Sequence, residues 1–215
     1  MTYLELVNDV LVRLREETVS TVSETTYSAL IGKFVNDAKR AIEDSYEWNI
    51  LGTTVVLTTT SGTSSYSLTG AGQKFRVQDV INDTANNGMT NIPFANMNRF
   101  LNFGNPSNAT PTYYAFDGVD GSYDTKVSLF PVPDGVYTLK FSIIVPQATL
   151  SSDSTVVLMP SELIVQNAYA RALVERGEDG GLSSSEAYLL YKSMLSDYIA
   201  MEATRYPEFG SFEAI

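Results

Sequence analysis

The sequence predicts an α+β protein: a four-helix bundle formed by N- and C-terminal helical pairs, with an inserted antiparallel β domain. Three observations predict it. Residues 1–50 carry 14 charged side chains and residues 156–215 carry 13, whereas the 105 residues between them carry only 12. Both charged ends repeat apolar residues at three- and four-residue steps, the spacing of a helix with one buried face. The charge-poor middle is crowded with Thr, Ser, Asn, Gly and Tyr, and its apolar residues alternate between turn-forming clusters, as strands require. The expected domains are a discontinuous helical body, 1–51 with 156–215, and a β insert, 52–155.

Thr2 and Glu5 form a T-x-x-E capping box, so the first helix starts there. Its stripe is Leu4, Val7, Leu11 and Leu14. Ser20-Thr21-Val22-Ser23 breaks the pattern, and a second helix is expected from Thr26 to Trp48, with Leu30, Phe34, Ala38, Ala41 and Trp48 on one face. Gly52 ends the helical regime. Val55-Val56-Leu57 is a strand, Ser61–Ser64 a turn, and Tyr66-Ser67-Leu68 the strand returning beside the first. Phe75–Ile81 alternates as a further strand, Asn82–Thr90 is a turn, Asn96–Leu101 suits a short helix and Thr112–Phe116 a strand. Lys126–Phe130 and Val136–Val145, joined through Pro131-Val132-Pro133-Asp134-Gly135, read as the clearest hairpin. Val156-Val157-Leu158 is expected to close the β insert. Pro160-Ser161-Glu162 opens a third helix that ends near Gly177, with Ala168 and Ala172 as a small-residue packing face. Ser183–Ser185 with Glu186 caps a fourth, striped by Ala187, Leu190, Tyr191, Met194, Tyr198 and Met201 and stopped by Pro207. Neither helical pair can bury its apolar faces alone, so the two pairs are expected to pack together.

Composition narrows the function. Without Cys there are no disulfides and no thiolate metal site, and without His the commonest general base and transition-metal ligand are missing. No apolar run is long enough to cross a bilayer, and the N-terminus enters a helix without a basic signal region, so neither a membrane nor a secretion signal is expected. The net charge of −11 and the lack of any Lys/Arg cluster argue against gripping nucleic acid phosphates.

Several residue groups invite a chemical reading. Asp117, Asp120 and Asp124 lie within eight residues and offer hard oxygen ligands for Ca²⁺, but Val119 breaks the alternate spacing of an EF-hand loop. A Gly-Asp turn is the plainer reading. Gly70-Ala71-Gly72-Gln73-Lys74 lacks the glycine spacing and Lys-Ser/Thr ending of a phosphate loop. Asp37, Glu43, Asp44 and Glu47 are read as solvated helix charges rather than an acid/base pair, with Lys39 set to pair Glu43 and Arg40 to pair Asp44. Tyr113-Tyr114-Ala115-Phe116 is a sugar-binding platform or, more simply, strand core or subunit interface. No catalytic, cofactor or metal residues are assigned. The remaining candidates are Phe209, Phe212 and Ile215, three large apolar side chains after Pro207 that suit either folding back onto their own domain or docking into a neighbouring subunit or another protein.

Residues 27–51, YSALIGKFVNDAKRAIEDSYEWNIL, resemble the second helix of tailed-bacteriophage head-to-tail adaptor (neck or connector) proteins. Residues 159–178, MPSELIVQNAYARALVERGE, resemble their third, followed by a Tyr-rich fourth at Ala187–Ala203. The resemblance covers the helical ends, while the middle matches only in kind. It implies a non-enzymatic virion protein at the head–tail junction, made in the host cytoplasm and needing no cofactor. It further implies a ring homo-oligomer, a dodecamer, that meets the portal protein on one side and tail or nozzle proteins on the other. Genome DNA passes through such a ring without specific binding. The C-terminal segment, with Phe209, Phe212 and Ile215, would dock onto the portal. The alternative reading is a carbohydrate- or receptor-binding module, in which the β insert is the active part and the helices are its mount.

Overall fold

The computed structural model describes residues 1–103, 106, 108–177 and 181–205. The chain divides into two compact units, residues 1–50 with 147–215, and residues 51–146.

The first unit contains α1 (Tyr3–Arg13), α2 (Thr26–Ser45), α4 (Ser161–Arg176) and α5 (Leu182–Arg205). The Thr2–Glu5 capping box is formed, with Glu5 accepting from the Thr2 N–H at 2.8 Å. A second box caps α2, where Thr25 and Ser28 bond reciprocally. α2 stops at Ser45, short of the expected Trp48. The Trp48 indole N–H turns back to the Ile42 carbonyl at 2.8 Å and so satisfies an orphan group of the last turn. α4 starts after Pro160 and ends at Gly177, whose φ of 63° is the left-handed geometry that favours glycine at a helix end. The Val156–Leu158 run, expected to close the β insert, instead has Val156 bridged antiparallel to Thr2 within the helical unit.

The chain is α+β, but the four-helix bundle of N- and C-terminal pairs is not what forms. Five helices occur among the described residues, and one of them, α3 (Phe94–Asn102), lies in the central β region. α4 is the hub of the other four: α1, α2 and α4 pack on one another, while α5 packs extensively on α4 alone. Eight buried residues of α4, among them Leu163, Ile164, Ala168 and Ala172, surround it with neighbours. On α5 only Ser184, Ala187, Tyr191, Leu195 and Glu202 are buried, so Leu190 and Met201, expected in its buried stripe, face outward.

The second unit holds two four-stranded sheets, ordered β1-β8-β3-β4 and β2-β7-β6-β5. The strands are β1 (Gly52–Thr58), β2 (Ser65–Ser67), β3 (Arg76–Asn82), β4 (Asn87–Gly88), β5 (Thr90–Asn91), β6 (Tyr113–Val119), β7 (Thr125–Phe130) and β8 (Thr138–Ile144). Leu57, Val80, Leu139, Phe141 and Ile143 of one sheet face Tyr114, Val127 and Leu129 of the other across a shared core. Tyr114 meets Phe141 edge-on, ring centroids 5.8 Å apart. The expected hairpin of residues 126–130 and 136–145 is therefore a crossover between sheets, since β7 pairs with β2 and β6 while β8 pairs with β1 and β3. Likewise β2 does not return beside β1. Nor is the unit wholly antiparallel, because β5 and β6 run parallel. Alternating sequence fixes which side chains point inward; it does not choose the neighbouring strand.

Candidate interaction surfaces

Two exposed apolar surfaces stand out, one on each unit. On the helical unit, three stretches converge on a groove of about 510 Å³ lined by Trp48, Ile50, Leu158, Met159, Pro160, Tyr198, Met201, Glu202 and Arg205. Local bonds hold its walls. The Asn49 N–H donates to Glu202 Oε1 at 3.0 Å, tying the end of the α2 extension to α5. The Tyr198 hydroxyl donates to Glu162 Oε2 at 3.1 Å, tying α5 to the first turn of α4. Burial, reinforced by that carboxylate, pushes the Tyr198 phenol above its ordinary pKa. Trp48 and Met159 are buried at the base, yet Ile50, Leu158 and Met201 remain 53%, 46% and 59% exposed. The exposed part of the lining is mainly apolar, and the buried Glu202 carboxylate is engaged by the Asn49 N–H, so the groove suits apolar side chains of a polypeptide. Leu182, Leu189 and Leu190 add further exposed apolar surface along α5.

On the β unit, α3 rests on β6 and β7 with Met97 buried beneath it. It leaves Phe94, Phe100 and Phe103 exposed, Phe103 by 78%. Phe100 stacks on Phe130 at 5.0 Å and lies 6.4 Å from Tyr113. The Tyr113–Phe116 stretch thus splits by strand alternation: Tyr114 is core, Phe116 packs on Phe75 and Tyr114, and Tyr113 joins the outer aromatic patch.

The groups weighed for chemistry resolve into structure. Asp124 Oδ1 accepts from the Gly70 and Gly72 N–H groups at 3.1 and 3.0 Å, so the glycine loop that loosely resembled a phosphate cradle already holds a carboxylate. Asp120 Oδ1 accepts from the Ser122 and Asp124 N–H groups and shapes the β6–β7 turn. The Ser67 hydroxyl, those two N–H groups and nearby Lys126 hold its carboxyl below the ordinary carboxylate pKa. Asp117 Oδ2 accepts from the Ser65 and Ser128 hydroxyls. The three carboxylates each serve a different local bond, and among the described residues no group of three acidic, His or Cys side chains can hold a metal ion.

On α2, Lys39 and Glu43 do pair, Nζ to Oε1 at 3.0 Å, but not in solvent: both are buried. Lys39 also donates to the Gln147 carbonyl at 2.6 Å, and Glu43 Oε1 accepts from the Gln147 N–H at 3.1 Å. One turn earlier, buried Asn36 exchanges two bonds with the main chain of Leu150 at 3.0 and 2.8 Å. These three side chains grip the strand of chain that returns from the β unit. Asp44 and Glu47 are exposed, as expected of a solvated face, and Arg40 lies 3.8 Å from Asp37. Phe209, Phe212 and Ile215 lie outside the described residues. The groove and the α3 patch were not expected from sequence; an apolar residue at nearly every angle of α5 is the signal that pointed to the first. No helix among the described residues is long and apolar enough to cross a membrane.

A family model described as SU10 adaptor protein matches residues 1–210. No curated protein matches the chain.

Proposed function

The chain belongs to the SU10 adaptor protein family, and from that premise we propose that it forms a ring that joins the portal to the tail and lets the genome through. Membership makes it a structural adaptor of a phage virion, and in this reading it works by contact with its neighbours. The observation that carries the reading is the extent of the match, which runs through both units. Two exposed apolar surfaces support it, because an adaptor must hold different neighbours at once. In this reading the helical unit makes the side-by-side contacts of a dodecamer, and Phe94, Phe100 and Phe103 of the β unit meet tail components. Aromatic anchors of this kind carry most of the affinity at protein interfaces. The C-terminal segment with Phe209, Phe212 and Ile215 docks onto the portal. A net charge of −11 suits a conduit that must not hold DNA phosphates.

The docking claim is tested by deleting residues 207–215 and measuring co-sedimentation with portal protein. The expected variant is folded by circular dichroism and no longer retained; unchanged retention refutes the docking. Cryo-electron microscopy of particles tests the ring, and a junction without twelve copies of this chain overturns it.

A further inference from the structure

One edge of the β unit carries an unused hydrogen-bond ladder. β1 ends its sheet and pairs with β8 on one side only. The Thr59 N–H donates to the Tyr137 carbonyl at 2.9 Å and the Val145 N–H to the Leu51 carbonyl at 3.2 Å, so the odd-numbered residues of this stretch bond the β8 side. Gly52, Thr54, Val56 and Thr58 therefore direct their N–H and C=O groups to the open side, where no main-chain partner meets them among the described residues. All four residues are exposed, Val56 by 57%. Proteins usually blunt such an edge by shortening the strand or by adding a bulge, a Pro or a Lys. The other strands that end the sheets, β2, β4 and β5, are only two or three residues long. β1 has seven residues, GTTVVLT, in unbroken register, with none of those devices.

We propose that free copies of the chain pair through this edge, β1 lying antiparallel to the β1 of a second copy and joining two sheets into one. Alternating main-chain donors and acceptors are matched by another extended main chain. Self-complementarity and charge make that chain a second copy. Centred on Val55, antiparallel self-pairing sets Gly52 opposite Thr58 and Thr54 opposite Val56, and every edge-facing group of both strands finds a partner. The facing Thr and Val side chains are β-branched, the type that packs well across strands. Copies of net charge −11 repel one another and meet most cheaply where charge is lacking; no charged residue lies between Glu47 and Lys74, a stretch that contains all of β1. A two-fold pair consumes both edges, so association stops at two copies and the edge is closed to further strands. The inference goes beyond the adaptor reading, since a ring repeats one head-to-tail contact and this pair belongs to copies outside it.

Sedimentation velocity of the full chain over a dilution series, without portal protein, tests the pair. The wild type is expected to be a reversible monomer–dimer. Val56→Pro removes an N–H that bonds nothing within the sheet, a position where an edge strand tolerates Pro. The pair then loses a hydrogen bond in each copy and should weaken about tenfold or more. Val56→Lys sets like charges diagonally across the joint and should also weaken it. Because the added Lys reduces the net charge, the same variant would strengthen any non-specific association. A wild type that stays monomeric throughout the series overturns the proposal, and so does a dimer that either folded variant leaves unchanged. If Val56→Pro is unfolded by circular dichroism, Val56→Lys decides alone. Hydrogen exchange gives a second reading: the Thr54, Val56 and Thr58 amides should be better protected at the concentrated end of the series, and equal protection at both ends refutes the pairing. Neither measurement involves the portal or the particle, so their failure leaves the ring standing, and absence of the ring from particles leaves the pair standing.

Discussion

Replacing Glu43 with Leu should destabilise the helical unit far more than loss of an ordinary helix-surface charge would. Glu43 accepts from Lys39 Nζ at 3.0 and 3.1 Å and from the Gln147 N–H at 3.1 Å, all out of solvent or nearly so. The substitution strands the buried Lys39 ammonium with only the Gln147 carbonyl and leaves the Gln147 N–H without its acceptor. Removing one partner of a buried pair costs about 3–5 kcal/mol, against about 0.3–0.5 kcal/mol for an exposed i,i+4 pair. At about 2–4 °C per kcal/mol for a chain of this size, the midpoint of helical unfolding should fall by about 6–20 °C. Adding Lys39→Met removes the stranded charge, and replacing both partners with apolar side chains is often close to neutral. The double variant should therefore recover most of the loss, with a coupling of about 2 kcal/mol or more in the mutant cycle. Urea and thermal unfolding followed by far-ultraviolet circular dichroism measure all four corners. A loss below about 1 kcal/mol for Glu43→Leu, or additive single effects, would refute the assignment of a buried, mutually dependent pair.

Two further substitutions test other contacts. Gly32→Ala normally favours a helix, but here its Cβ would meet Tyr3 Oη and lie 2.7 Å from Val22 Cγ1, so overpacking should dominate and cost about 1–3 kcal/mol in urea unfolding. Asp120 has a folded pKa below its ordinary 3.8, so its contribution is complete above that value and disappears as pH falls through the lower folded pKa. The stability gap between wild type and Asp120→Ala should be constant above pH 3.8 and narrow below it in acid titrations of unfolding; a gap that widens contradicts the assigned bonds.

The beginnings of α1 and α4 were legible because their signals are local: Thr2 with Glu5, and Pro160 with Glu162. Strand positions such as Val127–Phe130 and Leu139–Ile144 were legible for the same reason, but their partners were not, since both sheets impose the same alternation. Lys39 and Glu43 looked like surface residues because what they bind is main chain at Gln147, which carries no side-chain signature. The face of α5 was misread at Leu190 and Met201 because a helix apolar on most sides has no preferred direction until its one large neighbour, α4, is known. Asp124 and the Gly70–Gly72 loop were each noticed, and only folding showed that they answer each other.

The β unit leaves and rejoins the rest of the chain through adjoining strands. Gly52 of β1 lies opposite Ile144 of β8, and the Val145 N–H reaches the Leu51 carbonyl at 3.2 Å. Partners in an antiparallel ladder are about 5 Å apart, a gap that a short turn can also span. Had the inserted residues been slack, lengthening a four-residue link to about a hundred would have cost about 3 kcal/mol in closure entropy. With β1 and β8 zipped together, the insert supplies its own closure. The helical unit therefore has the same short connection to make whatever module is inserted there, so the insert is a cartridge that can change without redesign of its socket.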